Sequence, residues 1–407
     1  MITQWKEEPK AGVTFPEGFV VSGVRCGIKS LGNDLAVLVC DSVANVAGVF
    51  TTNHVQAACV QYSRRVARGG KVRAIVVNAG NANACNGEQG DSDNRSMADW
   101  VSRRLNVPPD HVLTASTGII GHLMPMEKIK AGVEMAVAQL DRGAEADKNA
   151  VEAIMTTDTY PKYRAAIVDC DTWVEPIRFG GMCKGSGMIA PNMATMLAFL
   201  TVDVRMPSEL LQEALNRAVA VSFNSVTVDG DTSTNDMCLL LASGMGGSEI
   251  TVTGQAFEDF VEALSRFCIT LAKEIARDGE GATKLVHVIV KNAPHYAGAH
   301  KIAKTIAESP LVKTALYGND PNWGRLLMAA GRAGVPFDQN KVDAYVGTHL
   351  VCSQGRSVEF DRLGAHEYLK NKEVDVVVDL NMGEDSATVW TCDYSYDYIK
   401  INAEYHT

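Results

Sequence analysis

Residues 179–203 read Phe-Gly-Gly-Met-Cys-Lys-Gly-Ser-Gly-Met-Ile-Ala-Pro-Asn-Met-Ala-Thr-Met-Leu-Ala-Phe-Leu-Thr-Val-Asp. The apolar run 196–200 in this stretch predicts a buried central strand. Four glycines upstream of it fall within eight residues and permit close backbone approach and positive φ angles. Lys184 lies among these glycines, so the loop is either a glycine-rich turn between strands or a phosphate loop. The GxxxxGK[ST] order of a phosphate loop is missing.

Short apolar runs alternate with helical stretches on both sides of this segment. The predicted elements are strands at 35–40, 73–77, 285–290 and 374–380 and helices at 91–105, 127–141, 208–221 and 256–277. This alternation predicts an α/β fold with mixed sheets.

Composition restricts the class of protein. The 407 residues carry 38 Lys+Arg against 48 Asp+Glu, a formal net charge of -10, and 46% of them are hydrophobic. That is enough apolar material for a sizeable core, which excludes wholesale disorder. The acidic balance argues against nucleic acid as a partner, because a phosphate-binding surface needs clustered basic residues.

The cysteines and the N-terminus indicate a compartment. The ten cysteines form no CxxC pair, which fits buried thiols in a reducing cytosol better than a disulfide framework or a zinc site. No apolar run of 18 residues occurs and the first residues lack a secretory leader, so we expect a cytoplasmic protein without a membrane span. The histidines form no HxH or HExxH pattern, and the acidic stretch 229–236 lacks the EF-hand spacing, so no metal site is expected.

Thr195 stands at the head of the predicted central strand. A strand holds the backbone of its first residue rigidly, which suits a nucleophile. A threonine hydroxyl can use its own α-amine as the base once the preceding peptide bond is cut. The ordinary explanation of a threonine entering a strand is its β-propensity, so this position alone does not decide the matter.

A set of separated motifs does decide it. The stretch 192–197 is preceded by 184–189 and accompanied, in order along the chain, by 116–121, 156–159, 229–236, 318–325 and 401–407. Together they resemble the ornithine acetyltransferases of arginine biosynthesis, also called glutamate N-acetyltransferases. The resemblance covers nearly the whole chain.

The resemblance implies a self-processed enzyme. The precursor would cut itself between Ala194 and Thr195, giving an alpha chain of 1–194 with the oxyanion hole and glycine-rich loop, and a beta chain of 195–407 that begins with the nucleophile. The first segment carries 20 Lys+Arg and 20 Asp+Glu and the second 18 and 28, so the whole acidic excess lies in the second. The implied fold has mixed layered sheets and helices of the self-processing N-terminal-nucleophile type, and two copies of each chain are expected to form a heterotetramer.

The resemblance also implies the reaction and its residues. An acetyl group would pass from N2-acetyl-L-ornithine to L-glutamate through an acetyl ester on Thr195. No cofactor is implied, although acetyl-CoA is a possible second acetyl donor. The catalytic residues would be Thr195, the hydroxyl of Thr117 and the backbone N–H of Gly118. The substrate-binding residues would be Thr157, Lys184, Thr195, Glu280, Asn402 and Thr407.

Several residues keep other interpretations when they are considered one at a time. Ser-Thr-Gly at 116–118 is a common turn sequence, Lys184 could be a solvated lysine, and Glu280 could be a surface residue of its turn. Thr156 and Thr159 are neighbouring alternatives to Thr157. Arg325 could hold a carboxylate or serve a structural role.

The function has one enzymatic alternative. A related self-processed N-terminal-nucleophile aminopeptidase or amidohydrolase would undergo the same cleavage. It would release its acyl group to water instead of to glutamate, so the fate of the acetyl group separates the two hypotheses.

Overall fold

Two β-sheets, each flanked by helices, form the architecture. The computed structural model describes residues 1–190 and 196–404. The first sheet consists of β1 (Ile2–Glu7), β2 (Phe19–Val24), β3 (Leu35–Phe50), β4 (Lys71–Asn81), β5 (Val112–Ile119), β6 (Lys162–Cys170), β7 (Ile177–Lys184), β8 (Leu197–Val202) and β9 (Met237–Ala242). The second sheet consists of β10 (Leu285–Ala293), β11 (Asp343–Val346), β12 (His349–Ser353), β13 (Arg356–Ser357), β14 (Glu373–Asp379) and β15 (Asp385–Cys392).

Eleven α-helices are present in the described residues. They are α1 (Ala58–Arg68), α2 (Gly87–Leu105), α3 (Met126–Ala138), α4 (Ala144–Ile154), α5 (Ser208–Val221), α6 (Gln255–Arg277), α7 (Tyr296–Ala307), α8 (Pro310–Tyr317), α9 (Trp323–Gly331), α10 (Arg362–Tyr368) and α11 (Tyr396–Glu404). In the described part of the chain, none of them has the length and hydropathy needed to cross a bilayer.

The apolar run predicted as a central strand forms β8, in the middle of the first sheet. The strand order is β1-β6-β7-β8-β9-β3-β4-β5, with β2 paired to β3 outside this path. All six residues of β8 are buried, because the strand is covered on both faces and hydrogen-bonded on both edges. It pairs antiparallel with β7 and parallel with β9. The prediction of mixed sheets is therefore confirmed.

Helices cover the two faces of the first sheet with different parts of the core. On one face, α6 packs against β6 and β7 and α5 packs against β3 and β9, around a cluster that includes Phe179, Phe260 and Phe267. The ring of Phe179 lies 5.7 Å from that of Phe260 and 5.8 Å from that of Phe267, between centroids. On the other face, α1 and α4 cover a second cluster. Burying each such ring contributes about 1.5–3 kcal/mol, so this packing fixes the sheet that positions the site.

Strands from both sides of the predicted cleavage position share the first sheet. The strands β1 to β7 precede residue 194, and β8 and β9 follow it. The second sheet lies wholly in the later segment, where α7 and α9 cover a separate core. The two proposed chains would therefore be joined by the strand pairing of β7 with β8 and of β3 with β9. The division of the precursor at 194/195 itself stays a prediction.

The other predicted elements are confirmed, with shifts at their ends. The predicted strand at 35–40 is the first part of the longer β3, which bends and changes partner along its length. The predicted helix 127–141 ends at Ala138, because Asp141 turns back to exchange backbone hydrogen bonds with Val21 of β2. A sequence pattern does not contain such a long-range contact.

Candidate active site

A cavity of about 130 Å³ lies beside the end of β7 and brings together six of the predicted site residues. Its lining consists of Ala82, Thr117, Gly118, Ile120, Thr156, Thr157, Lys184, Gly187, Met188, Ser233, Thr234, Asn235, Glu280 and Asn402. Lys184 pairs in the sheet with Leu197, the first residue of β8. Ala194, Thr195 and Thr407 lie outside the described residues.

A larger cavity of about 600 Å³ lies elsewhere, between Arg68 at the end of α1 and Arg205 before α5. Its lining contains none of the predicted site residues. The smaller cavity is the better candidate because its cation, Lys184, and its carboxylate, Glu280, are buried, whereas the charged residues that line the larger cavity are exposed.

Thr117 and Gly118 reach the cavity at the end of β5. This strand pairs parallel with β4, with Gly118 opposite Gly80. Gly118 has a φ of +129°, and a side chain there would collide with the backbone of Gly80 and Asn81. Only glycine fits where the two strands approach each other so closely. Thr117 and Gly118 together form one wall of the cavity.

Lys184 is buried, so the alternative of a solvated lysine is wrong. Burial lowers the pKa of its ammonium group, and the carboxylates of Asp158, Asp236 and Glu280 oppose that effect. A desolvated cation facing a cavity is suited to holding a substrate carboxylate, because no water shell competes for its charge.

Glu280 is also buried, so its alternative as a surface residue is wrong. Asn402 of α11 donates a hydrogen bond from Nδ2 to Glu280 Oε2 at 2.8 Å. On the other side the carboxyl group lies against Gly187, where any side chain would collide with it. The C-terminal helix thus lies against the cavity and orients the carboxylate through Asn402.

The turn 156–159 contributes its residues in different directions. Thr156 and Thr157 line the cavity. Thr159 points away and donates hydrogen bonds from its backbone N–H, at 3.0 Å, and from its hydroxyl to the carboxylate of Asp278. Of the three threonines considered as substrate contacts, Thr156 and Thr157 therefore line the cavity and Thr159 does not.

The stretch 229–236 supplies lining residues that the sequence did not single out. Asn235 donates from Nδ2 to the carbonyls of Ala82 at 2.6 Å and Ser116 at 2.8 Å, which fastens the wall next to Thr117. Asp229 accepts the backbone N–H groups of Met188 and Ile189, at 2.6 and 2.8 Å. The motif 229–236 was visible in the sequence. The role of each of its residues was not, because it depends on contacts with residues more than 30 positions away.

The motif 318–325 lies away from the cavity and has a structural role. Asn322 caps α9 by accepting the backbone N–H of Arg325. The Arg325 guanidinium donates to the carbonyl of Leu311 at 2.7 Å, which fits the structural interpretation. It connects α9 to α8.

The chain matches the model of the ArgJ family over residues 20–407. The chain belongs to the ArgJ family. The arginine biosynthesis bifunctional protein ArgJ of Symbiobacterium thermophilum is 47% identical over 400 residues, covering 97% of this chain and 98% of that protein. The protein of the same name from a Synechocystis species is 46% identical over 410 residues, covering 98% of each. The family resemblance seen in the sequence is therefore confirmed.

Two solved structures are similar to this ArgJ-family chain. The arginine biosynthesis bifunctional protein ArgJ of Bacillus halodurans is 42% identical, with a TM-score of 0.49, and the match covers 51% of this chain and 98% of that one. An ornithine acetyltransferase from Mycobacterium tuberculosis, solved with ornithine, is 36% identical with a TM-score of 0.43, covering 46% of this chain and 99% of that one.

Proposed function

We propose that this ArgJ-family chain is a self-cleaving acetyltransferase of arginine biosynthesis. It transfers the acetyl group from N2-acetyl-L-ornithine to L-glutamate by a ping-pong reaction through an acetyl ester on Thr195. One observation carries the proposal: a single cavity presents Thr117 and Gly118, the cation of Lys184 and the carboxylate of Glu280. Those groups complement the carboxylate and the side-chain ammonium of N2-acetyl-L-ornithine and the oxyanion that forms at its acetyl group.

The first step is cleavage of the precursor. The Thr195 hydroxyl attacks the carbonyl carbon of Ala194, the peptide C–N bond breaks, and the residue is left as an ester with a free α-amine. Water then hydrolyses that ester and releases the two chains. A free α-amine has an ordinary pKa of about 7.7–8.0, which suits a general base near neutral pH.

Acetyl transfer then follows in two halves. The α-amine of Thr195 takes the hydroxyl proton while Oγ1 attacks the acetyl carbonyl, the amide C–N bond breaks, and the proton passes to the leaving nitrogen of ornithine. The α-amine of glutamate next attacks the ester, the C–O bond breaks, and the Thr195 hydroxyl regains its proton. In each half, Thr117 and Gly118 donate hydrogen bonds to the oxyanion.

The remaining site residues bind the substrate. Lys184 holds its α-carboxylate, and Glu280, oriented by Asn402, faces an ammonium group. Thr157 and the chain end, Thr407, add hydrogen bonds. Because the walls come from strands and helices on both sides of the cleavage position, the two chains must stay together for activity.

Assembly and donor range are further parts of the proposal. We propose a heterotetramer of two alpha and two beta chains, in the cytoplasm, that needs no cofactor. Relatives of this chain are called bifunctional, and we propose acetyl-CoA as the second donor. Production of N-acetylglutamate from acetyl-CoA and glutamate, with no ornithine derivative present, tests that part separately.

Mass spectrometry and a matched pair of variants test the core of the proposal. Purified protein should consist of 1–194 and 195–407, and it should transfer acetyl from N2-acetyl-L-ornithine to L-glutamate. Thr195→Ala should stay one chain and be inactive. Thr201→Ala is the control, since Thr201 follows Thr195 closely in the chain, within β8, but donates to the Val13 carbonyl at 2.8 Å. It should be cleaved and active.

Two results would contradict the proposal. A Thr195→Ala variant that is cleaved and active would remove the nucleophile. Acetyl release to water at the same rate with and without glutamate would instead favour the aminopeptidase or amidohydrolase alternative.

A further inference from the structure

Three buried charged side chains form a network directly behind the cavity. The Lys162 ammonium lies 2.6 Å from a carboxylate oxygen of Asp158 and also contacts the Asp278 carboxylate. The side chains of Lys162 and Asp158 are fully buried, and that of Asp278 is almost so. None of the three lines the cavity, and the proposed reaction does not use them.

The network joins three of the segments that carry substrate-binding residues. Asp158 accepts the backbone N–H groups of Gly185 at 2.8 Å and Thr156 at 3.0 Å. The backbone carbonyl of Asp278 accepts the Ser186 hydroxyl at 2.6 Å. The turn 156–159, the glycine-rich loop and the turn that leads to Glu280 are therefore connected through Lys162.

The charge of Lys184 also acts on this network. Two carboxylates contact Lys162, and Lys184 is a second cation whose charge acts on Asp158. Burial alone would raise the pKa of Asp158, but the charges of Lys184 and Lys162 and the Gly185 N–H lower it to about 2. Breaking such a buried set by removing one member is costly, because a neighbouring charge loses its partner.

We propose that Asp158 is a positioning residue that acts through Lys184. By accepting the Gly185 N–H it fixes the backbone next to Lys184, and through Lys162 and Asp278 it links that backbone to the turn that carries Glu280. The network thereby fixes the distance between the group that binds the substrate carboxylate and the group that binds its ammonium. This inference rests on the proposed function.

The charged groups facing Lys184 determine the expected pH dependence. They are Asp158, Lys162, Asp236 and Glu280, with Lys29 on a further segment. Burial lowers the pKa of Lys184 and the Asp158 carboxylate raises it. Removing that carboxylate lowers the pKa of Lys184 further. Lys184 then loses its proton at a lower pH, and a neutral Lys184 no longer holds the substrate carboxylate. Removing Lys162 has the opposite sign, because its charge lowers the pKa of Lys184.

The test compares two variants whose pH profiles should move in opposite directions. In Asp158→Asn, the descending high-pH limb of kcat/KM should move to lower pH by about one unit or more, and KM for N2-acetyl-L-ornithine should rise. In Lys162→Met, the limb should move to higher pH. Asp158→Glu keeps the charge and should restore the limb while kcat/KM stays reduced by up to about 100-fold.

Asp147→Asn is the matched control. Asp147 is a buried carboxylate that accepts the backbone N–H groups of Gly12 and Thr14, at 2.7 and 3.0 Å, and does not line the cavity. Its replacement should lower stability without moving the limb.

The outcomes are separable from those of the proposed function. If Asp158→Asn and Lys162→Met leave the limb where the wild type has it, or shift it the same way, the inference is overturned. If Asp158→Asn does not fold, the direction of the Lys162→Met shift decides. Wild-type protein that transfers no acetyl group overturns the proposed function instead. The pH dependence of L-ornithine binding, measured by calorimetry in the same variants, then tests the link between Asp158 and Lys184.

Discussion

Adding a single methyl group at Gly187 should impair the site while leaving the fold intact. The φ of Gly187 lies outside the left-handed region, so its backbone accepts alanine without strain. The new Cβ would occupy the space of the Glu280 carboxyl group. That group is the end of a flexible side chain and can move, so Gly187→Ala should fold.

The size of the effect follows from how far the carboxyl group must move. To reach ordinary van der Waals contact it must shift by about 1 Å, and a misplacement of that size costs about 100-fold in rate. The shift is also comparable with the range over which the 2.8 Å hydrogen bond from Asn402 survives. We therefore expect kcat/KM to fall about 100-fold, or about 2.7 kcal/mol of transition-state stabilisation.

The assay is steady-state transfer of acetyl from N2-acetyl-L-ornithine to L-glutamate, with thermal unfolding measured in parallel. Gly331→Ala is the control, because Gly331 ends α9 and a Cβ there meets nothing within 4 Å. It should keep wild-type kcat/KM. Wild-type kcat/KM in Gly187→Ala would refute the placement of the Glu280 carboxyl group against the glycine-rich loop. A large loss of stability would show that the carboxyl group cannot move.

Three further results are expected. Thr117→Val keeps the β-branched shape but removes the hydroxyl, so kcat in the transfer assay should fall about 100- to 1000-fold while thermal unfolding stays unchanged. An unaltered kcat would exclude Thr117 from the oxyanion hole. The pKa of Asp158 is lowered from 3.8 to about 2, so its ionised form stabilises the fold at any pH above its ordinary pKa. This contribution to the free energy of unfolding is about 2 kcal/mol and is lost as the pH falls from 4 to 2. Urea unfolding should show this slope in wild type but not in Asp158→Asn. Cys85 is exposed, whereas burial raises the pKa of the Cys183 thiol to about 12. Mass spectrometry after brief maleimide treatment should therefore find the label on Cys85 first. Preferential labelling of Cys183 would contradict its burial.

The position of most secondary structure could be predicted from the sequence. The apolar run that forms β8 and the periodic stretch that forms α6 carry their own signal, because burial on both faces or on one stripe is visible in the order of residues. The ends were less certain. The stop of α3 depends on Asp141 pairing with Val21, and β3 extends to Phe50 because β9 pairs with its second half.

The residues of the cavity were predicted by their resemblance to a family, whereas their individual patterns were ambiguous. A lysine in a glycine-rich loop and a glutamate in a turn are ordinarily exposed. Lys184 and Glu280 are buried instead, because β7 delivers one to the middle of the sheet and α11 closes over the other. Asn235 was missed because its contacts are to Ala82 and Ser116, far away in the chain.

The sequence by itself determined the fold class, the family and six of the residues that line the cavity, because each of these is recorded in local patterns and motif order. Only the tertiary structure decided that Thr156 and Thr157, but not Thr159, line the cavity and that Lys184 is buried. It also placed Lys162 between Asp158 and Asp278. The physical reason is that desolvation and charge pairing depend on what surrounds a side chain in space, and those neighbours come from segments more than 100 residues apart.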